Sequence, residues 1–255
     1  MIDIHCHILP GIDDGAKTME DSVEMAKAAV NEGIHTIIAT PHHKNGKYNN
    51  SKSDILPLVN SVNERLEKEK IDLTILPGQE VRIYGEVVED YKNGEILPLT
   101  SESQYVFIEF PSNHVPRYTN RLLYDLQVAG LNPVIVHPER NSELIERPEK
   151  LYELVKNGAS TQVTASSLTG YFGKNIQKFS RQIIEANLAH FIASDAHNVH
   201  NRGFKMEEAM VLIEKQYGTD QLYYFIENAE LLIDGQTIFR EIPEPIKKKK
   251  FLGLF

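Results

Sequence analysis

The chain has 255 residues, 41% hydrophobic and 25% charged, which is the composition of an ordinary globular protein long enough for one large domain. A formal net charge of -9 argues against a general nucleic-acid binder, whose surface is usually basic. A single cysteine excludes an intramolecular disulfide. No apolar run approaches the ~18 residues of a membrane span, and the N-terminus lacks the basic and long apolar regions of a signal peptide, so a cytoplasmic protein is expected.

The first seven residues, Met1-Ile2-Asp3-Ile4-His5-Cys6-His7, read as a strand whose alternation puts His5 and His7 on one face. Two imidazoles at that spacing can hold one metal ion. Residues 8–15 form a turn-rich loop carrying the adjacent carboxylates Asp13 and Asp14. Thr18 followed by Asp21 predicts a helix N-cap, with Val23, Ala26 and Val30 on the inner face and a stop at Gly33. An apolar run over residues 36–40 then predicts a strand buried on both faces, ending in Pro41-His42-His43.

Residues 51–70 predict a charged helix with Leu58, Val62 and Leu66 as its inner stripe. A third strand at 73–76 leads to Glu80, and a fourth at 105–108 ends at Glu109. After a helix near 119–129, a fifth strand at 133–136 ends in His137-Pro138-Glu139-Arg140. A helix near 149–157 precedes a polar sixth strand at 160–164. A helix at 176–186 precedes a seventh strand at 189–193, which ends in Ser194-Asp195-Ala196-His197. Two more helices follow. Strand alternating with helix about seven times predicts a parallel sheet closed, or nearly closed, into a barrel.

In a parallel α/β barrel the strand C-termini open onto one face, where active sites are found. His5, His7, His42, Glu80, Glu109, His137, Asp195 and His197 all fall at predicted strand ends and should converge there. Eight such groups are too many for one ion. Mixed imidazole and carboxylate without thiolate suits Zn²⁺, Mn²⁺ or Fe, with Glu80 the natural bridge. Such a cluster supplies hydroxide near neutral pH and clamps the oxygens of a displacement at phosphorus. His35, His114, His190 and His200 read as ordinary surface or loop residues, while His43 stands either way beside His42.

Cys6 fails the test for a C-x5-R phosphatase loop, because Ile12 stands where the arginine should be. It reads as a small residue on the opposite face of the first strand, so no phosphocysteine intermediate is expected. The tail, Lys247-Lys248-Lys249-Lys250 followed by Phe251-Leu252-Gly253-Leu254-Phe255, is either a solubilising end or a weak contact with an anionic membrane surface.

The H-x-H start, Thr40-Pro41-His42-His43, Gly78-Gln79-Glu80, His137-Pro138-Glu139-Arg140 and Ser194-Asp195-Ala196-His197 together resemble the motifs of the polymerase-and-histidinol-phosphatase (PHP) superfamily. More narrowly, the chain resembles the bacterial PHP-type protein tyrosine phosphatases of capsule and exopolysaccharide operons. The resemblance implies a single-domain α/β fold, a distorted (β/α)7 TIM-like barrel over residues 1–242 with a basic tail at 243–255. It implies a three-metal Mn²⁺ cluster, with Fe or Zn as alternatives. One metal would take His5, His7, Glu80 and Asp195; a second Asp14 (or Asp13), Glu80 and His197; a third His42, Glu109 and His137. Arg140 and Arg202 would clamp the phosphate and stabilise the transition state, with Arg117 a lesser candidate for substrate contact.

The leading function implied is hydrolysis of phosphotyrosine on a membrane-associated bacterial tyrosine kinase that controls capsule or exopolysaccharide synthesis, by metal-activated hydroxide. A small-molecule phosphomonoesterase such as histidinol phosphatase is the alternative. Those enzymes tend to carry histidine where this chain has Asp14 and Glu109. A barrel that binds metal and a partner protein without turnover is the third reading.

Overall fold

The computed structural model describes residues 1–246; residues 247–255, which hold the lysines of the basic tail, lie outside the described residues. Among the described residues nine strands form in chain order: β1 Ile2–Cys6, β2 Thr36–Ala39, β3 His42–His43, β4 Thr74–Pro77, β5 Glu80–Arg82, β6 Tyr105–Glu109, β7 Asn132–Val136, β8 Ser160–Thr164 and β9 Phe191–Ala193. The helices are α1 Met19–Asn31, α2 Lys52–Glu69, α3 Val87–Lys92, α4 Thr119–Val128, α5 Ser142–Glu146, α6 Glu149–Lys156, α7 Ala165–Thr169, α8 Lys174–Glu185, α9 Met206–Tyr217 and α10 Thr219–Ile233. Every strand pairing is parallel. One sheet runs β1-β2-β4 and the other β3-β5-β6-β7-β8-β9.

Seven strands were expected and nine are found, because two of the seven break. Pro41 interrupts the second and Gly78-Gln79, just after Pro77, the third, and the pieces beyond each break, β3 and β5, pair in the other sheet. A proline has no amide to continue a ladder. Gly78 sits where an added Cβ would lie 2.6 Å from Ile38, so the crossing admits no side chain. His42 therefore does not cap the second strand; it opens a new one, in register with Glu80.

The far ends of the two sheets meet through β1 and the segment after β9. The His7 amide donates to Ala196 O at 2.9 Å, the Asp195 amide to His5 O at 2.8 Å, and Cys6 and Ala196 form an isolated parallel bridge. Asp3, fully buried on β1, accepts from the amide and hydroxyl of Ser194. Burial lifts its carboxyl pKa to about 6 in spite of those bonds.

The local reading holds at α1. Thr18 and Asp21 form a reciprocal capping box and Gly33 follows the helix in the left-handed region. In α2 the buried stripe is Ile55, Val59, Val62 and Leu66, and Leu58 is only half-buried, one position round the helix from the expected face. Alternation splits β6: Val106 and Ile108 join the larger apolar cluster, while Tyr105 and Phe107 join a smaller one with Val134, Val136, Phe191 and Ala193. The Phe107 ring lies 4.9 Å from the His5 imidazole, so this smaller core floors the site.

His190 lies in the connection just before β9, as a loop residue, but it is not at the surface. It is buried, its Nδ1 accepts from the Thr161 amide at 3.2 Å, and burial, aided by Arg240, lowers its pKa to about 3. Between the unfolded value of ~6.5 and that folded value, only the unfolded chain takes up this proton. Stability should therefore fall as pH drops below ~6.5, by about 2 kcal/mol from this residue at pH 5. Urea unfolding at pH 7 and pH 5 should show a shallower acid loss for His190→Gln than for the wild type. An equal loss in both would mean that His190 titrates normally.

Candidate metal centre

β1 and the loop after it deliver His5 and His7, β3 delivers His42, and β5 delivers Glu80. Glu109 ends β6 and His137 follows β7. Asp195 and His197 follow β9. The strand-end set thus occupies one bowl, built from both sheets. His137 and Asp195 take positive φ, 36° and 52°, a conformation that costs free energy in a residue with a Cβ.

Four donors converge most closely. His5 Nε2 lies 3.6 Å from Glu80 Oε2 and 3.5 Å from Asp195 Oδ1, and His7 Nε2 lies 3.4 and 3.3 Å from the same two oxygens. Donors ~2.1 Å from a shared ion in tetrahedral array lie about 3.4 Å apart, so this spacing fits a metal. A second group gathers on Asp14, whose Oδ1 is 3.4 Å from His42 Nε2 and 3.5 Å from His197 Nε2. A third comprises His42, Glu80 and Glu109, with His42 Nδ1 at 2.7 Å from Glu80 Oε2 and 3.7 Å from Glu109 Oε2. His137 is placed differently from the ligand set implied by the resemblance. Its Nε2 meets Glu80 Oε1 at 2.7 Å, so it joins the cluster through Glu80.

The chemistry of these donors favours a cation. His5 Nε2, His7 Nε2, His197 Nε2, Asp14 Oδ1, Glu80 Oε2 and Glu109 Oε2 are buried and make no hydrogen bond. Leaving so many polar atoms unmet in one place is costly unless something else satisfies them. The ring orientations agree. His5 Nδ1 donates to Gln162 Oε1 at 2.9 Å, His7 Nδ1 to Asp13 Oδ2 at 2.7 Å, and His197 Nδ1 to Asp195 O at 2.9 Å. A proton held on Nδ1 leaves the Nε2 lone pair free to ligate.

The two adjacent aspartates separate cleanly. Asp14 faces His42 and His197, whereas Asp13 is buried behind His7 and accepts from the amides of Gly15 and His42. The turn between them needs Gly15, since a Cβ there would fall 1.9 Å from His7 O.

Electrostatics follow the crowding. Burial alone would raise the Glu80 carboxyl, but His42 and His5 hold it well below the usual range. Burial opposes Asp195 in the same way, and Arg140 leads the charges that keep it ionised. Glu109 is lifted to about 7, by burial first and by Glu80 second. Burial lowers His137 to about 3 and His197 to about 4. All of these are groups that a bound cation would further bias toward the deprotonated, ligating form.

Beside the donors lies a cavity of about 280 Å³ lined by His42, Arg82, Glu109, His137, Arg140, Asp195, Arg202 and neighbours. Arg140 Nη2 and Arg202 Nη2 both reach Asp195 Oδ2, at 2.7 and 3.0 Å. Arg117, the lesser candidate, is exposed and does not line this cavity.

Sequence reading missed several supporting residues. Gln162, one of the residues that make the predicted sixth strand polar, holds His5. Glu139 is buried and accepts from the Thr164 amide and the Ser167 hydroxyl, anchoring the turn that carries Arg140. Asp3 shares the i, i+2, i+4 spacing of His5 and His7, a signal that could have marked it. His43, left either way beside His42, is fully buried and absent from the three donor groups and from the cavity lining.

Residues 1–234 match the family described as Capsular polysaccharide synthesis, CpsB/CapC. Among curated relatives, the chain is similar to the tyrosine-protein phosphatase YwqE of Bacillus subtilis (strain 168), 54% identical over 255 residues and 100% of both chains. It is also similar to the putative tyrosine-protein phosphatase CapC of Staphylococcus aureus, 42% identical with the same coverage. Among solved structures it matches one described as YwqE from Bacillus subtilis and CpsB from Streptococcus pneumoniae, unique metal-dependent tyrosine phosphatases. The TM-score is 0.95 at 54% identity, covering 97% of this chain and 100% of that one.

The divided roles of the aspartates are open to test. Asp14→Asn should remove about one metal equivalent per chain after Mn²⁺ loading and dialysis, measured by elemental analysis. Asp13→Asn should keep the full count at saturating metal but bind ~10–100-fold more weakly, because only the orientation of His7 suffers. Equal losses in the two variants would refute the division.

Proposed function

Because the chain belongs to the CpsB/CapC capsular polysaccharide synthesis family, we propose that it hydrolyses phosphotyrosine on proteins at the bowl formed by Glu80, Asp195 and their histidines. It is a metal-dependent tyrosine-protein phosphatase, and the observation that carries the assignment of its site is the set of buried, unbonded Nε2 and carboxylate atoms around Glu80 Oε2. We read the two parallel sheets as a distorted (β/α)7 barrel, residues 1–242, whose open end is this bowl, with residues 243–255 as a tail.

His5, His7, Glu80 and Asp195 would hold one ion, Asp14 and His197 a second, and His42 and Glu109, with His137 beside Glu80, a third. Manganese is the metal we assign, with Fe or Zn accommodated by the same donors. Bound metals would supply a nucleophile from water near neutral pH and neutralise charge on the phosphoryl group.

The chain's own residues then bind and orient. Each guanidinium has five N–H donors, and Asp195 Oδ2 occupies one nitrogen of each, so Arg140 and Arg202 retain donors for the non-bridging phosphoryl oxygens. Asp195 fixes both forks in place, and the Phe172 ring, 5.6 Å from the Arg140 guanidinium carbon, adds a cation–π contact. Attack by water oxygen at phosphorus breaks the bond to the tyrosyl oxygen. The departing phenolate, with a pKa of ~10, leans less on a general acid than an alkoxide does.

The single thiol takes no part. Cys6 is fully buried, its Sγ donates to Ala196 O, and burial pushes its pKa well above the ordinary thiol value. A membrane-associated bacterial tyrosine kinase is the partner we propose, acting with a cytoplasmic phosphatase. Among the described residues no helix is long and apolar enough to cross a membrane.

The first experiment compares a phosphotyrosine peptide with histidinol phosphate, with Mn²⁺ and after chelation, for wild type and His137→Ala. Metal-dependent turnover of the peptide, lost at least ~100-fold in the variant, is expected. Turnover of histidinol phosphate alone would overturn the substrate while keeping the site. Separately, Cys6→Ser should retain kcat within a few-fold; loss of activity in a folded variant would restore a thiol mechanism.

A further inference from the structure

Strand alternation places Arg82 two residues beyond Glu80, on the same face of β5 and nearer the rim. In the neighbouring strand its register partner is Glu109. From that position the guanidinium engages β6 through both terminal nitrogens, while its Nε is buried without a partner. Arg82 Nη2 meets Glu109 Oε1 at 3.1 Å, and Nη1 donates to Phe110 O at 3.0 Å, so two residues in succession on β6 and just after it fix both arms of the fork. The side chain is about three-quarters buried and lines the substrate cavity.

The consequence falls on the other oxygen of Glu109. With Oε1 taken by Arg82, Oε2 is the atom left buried without a hydrogen bond, 3.7 Å from His42 Nδ1 in the group His42, Glu80 and Glu109. We propose that Arg82 is a positioning residue for the metal centre: it turns Glu109 so that one oxygen, and only one, faces the ion shared with His42. A carboxylate freed from such a contact can rotate and offer either oxygen or both. Two carboxylates, Glu80 and Glu109, crowd the same ion site, and a fixed positive charge behind the second offsets their repulsion. Arg82 thereby differs in role from Arg140 and Arg202, which both bind Asp195.

This inference rests on the metal-site reading above, and the test separates the two. Metal affinity is measured by Mn²⁺ titration against a competing chelator, with total metal counted by elemental analysis, for full-length wild type, Arg82→Gln and Arg82→Lys. Turnover of a phosphotyrosine peptide is followed in parallel. Arg82→Gln should bind one of its ions ~10–100-fold more weakly and the rest as in the wild type. Its kcat should recover in excess Mn²⁺ with KM unchanged. Arg82→Lys, which keeps the charge but not the fork, should fall between the two and remains informative if the glutamine variant fails to fold. Wild-type affinity in both variants would overturn the proposal, and a raised KM at wild-type affinity would reassign Arg82 to substrate binding. If the wild type itself binds no Mn²⁺, the metal-site reading fails first.

Discussion

Glu80 is the group on which the rest of the site depends. It is fully buried, and its two oxygens face His5, His7, His42 and His137 from three other strands or their ends. A carboxylate removed from water is expensive unless opposite charge surrounds it. Imidazoles alone supply that charge only when protonated, which would destroy their capacity to ligate. A cation among them resolves the conflict, because it satisfies the carboxylate and keeps the rings neutral together.

The fold serves this arrangement by holding the donors on backbone that cannot drift. β1 is pinned to the segment after β9 by backbone bonds and by the buried Asp3–Ser194 contact, so His5, His7, Asp195 and His197 belong to one rigid edge. The breaks at Pro41 and Gly78-Gln79 perform the opposite task. They let β2 and β4 stay in one sheet while β3 and β5 cross into the other, which brings His42 opposite Glu80. Around these donors sits a shell of acceptors, Gln162, Asp13 and the Asp195 carbonyl, each fixing one imidazole tautomer. Beside that shell, Asp195 holds the paired guanidiniums of Arg140 and Arg202.

Much of this was legible in the chain itself. The H-x-H spacing, the strand-end positions of Glu109 and His137, and the paired Asp195 and His197 follow from period-2 alternation and from the rule that parallel strands open their C-termini on one side. The capping box at Thr18 and Asp21 is equally local and was readable for that reason. The specificity of the motifs, added to this geometry, pointed to a metal-dependent tyrosine phosphatase, in agreement with the family and its relatives.

What only the tertiary structure decided concerns contacts between residues far apart in sequence. Asp13 and Asp14 are equivalent as a dipeptide, and the choice between them came from which carboxylate the tight turn at Gly15 aims at His197 and which it tucks behind His7. Gln162, Glu139 and Arg82 look like ordinary polar residues until β8, the turn after β7, and β5 pack beside their partners. His190 was misread because nothing local distinguishes an exposed imidazole from one that closes a buried hydrogen bond with Thr161, 29 residues away. Periodicity and motif spacing are properties of neighbouring residues and can be read along the chain. The pairing of a buried polar atom is set by whatever the folded backbone brings within 3 Å of it, and that only the assembled structure specifies.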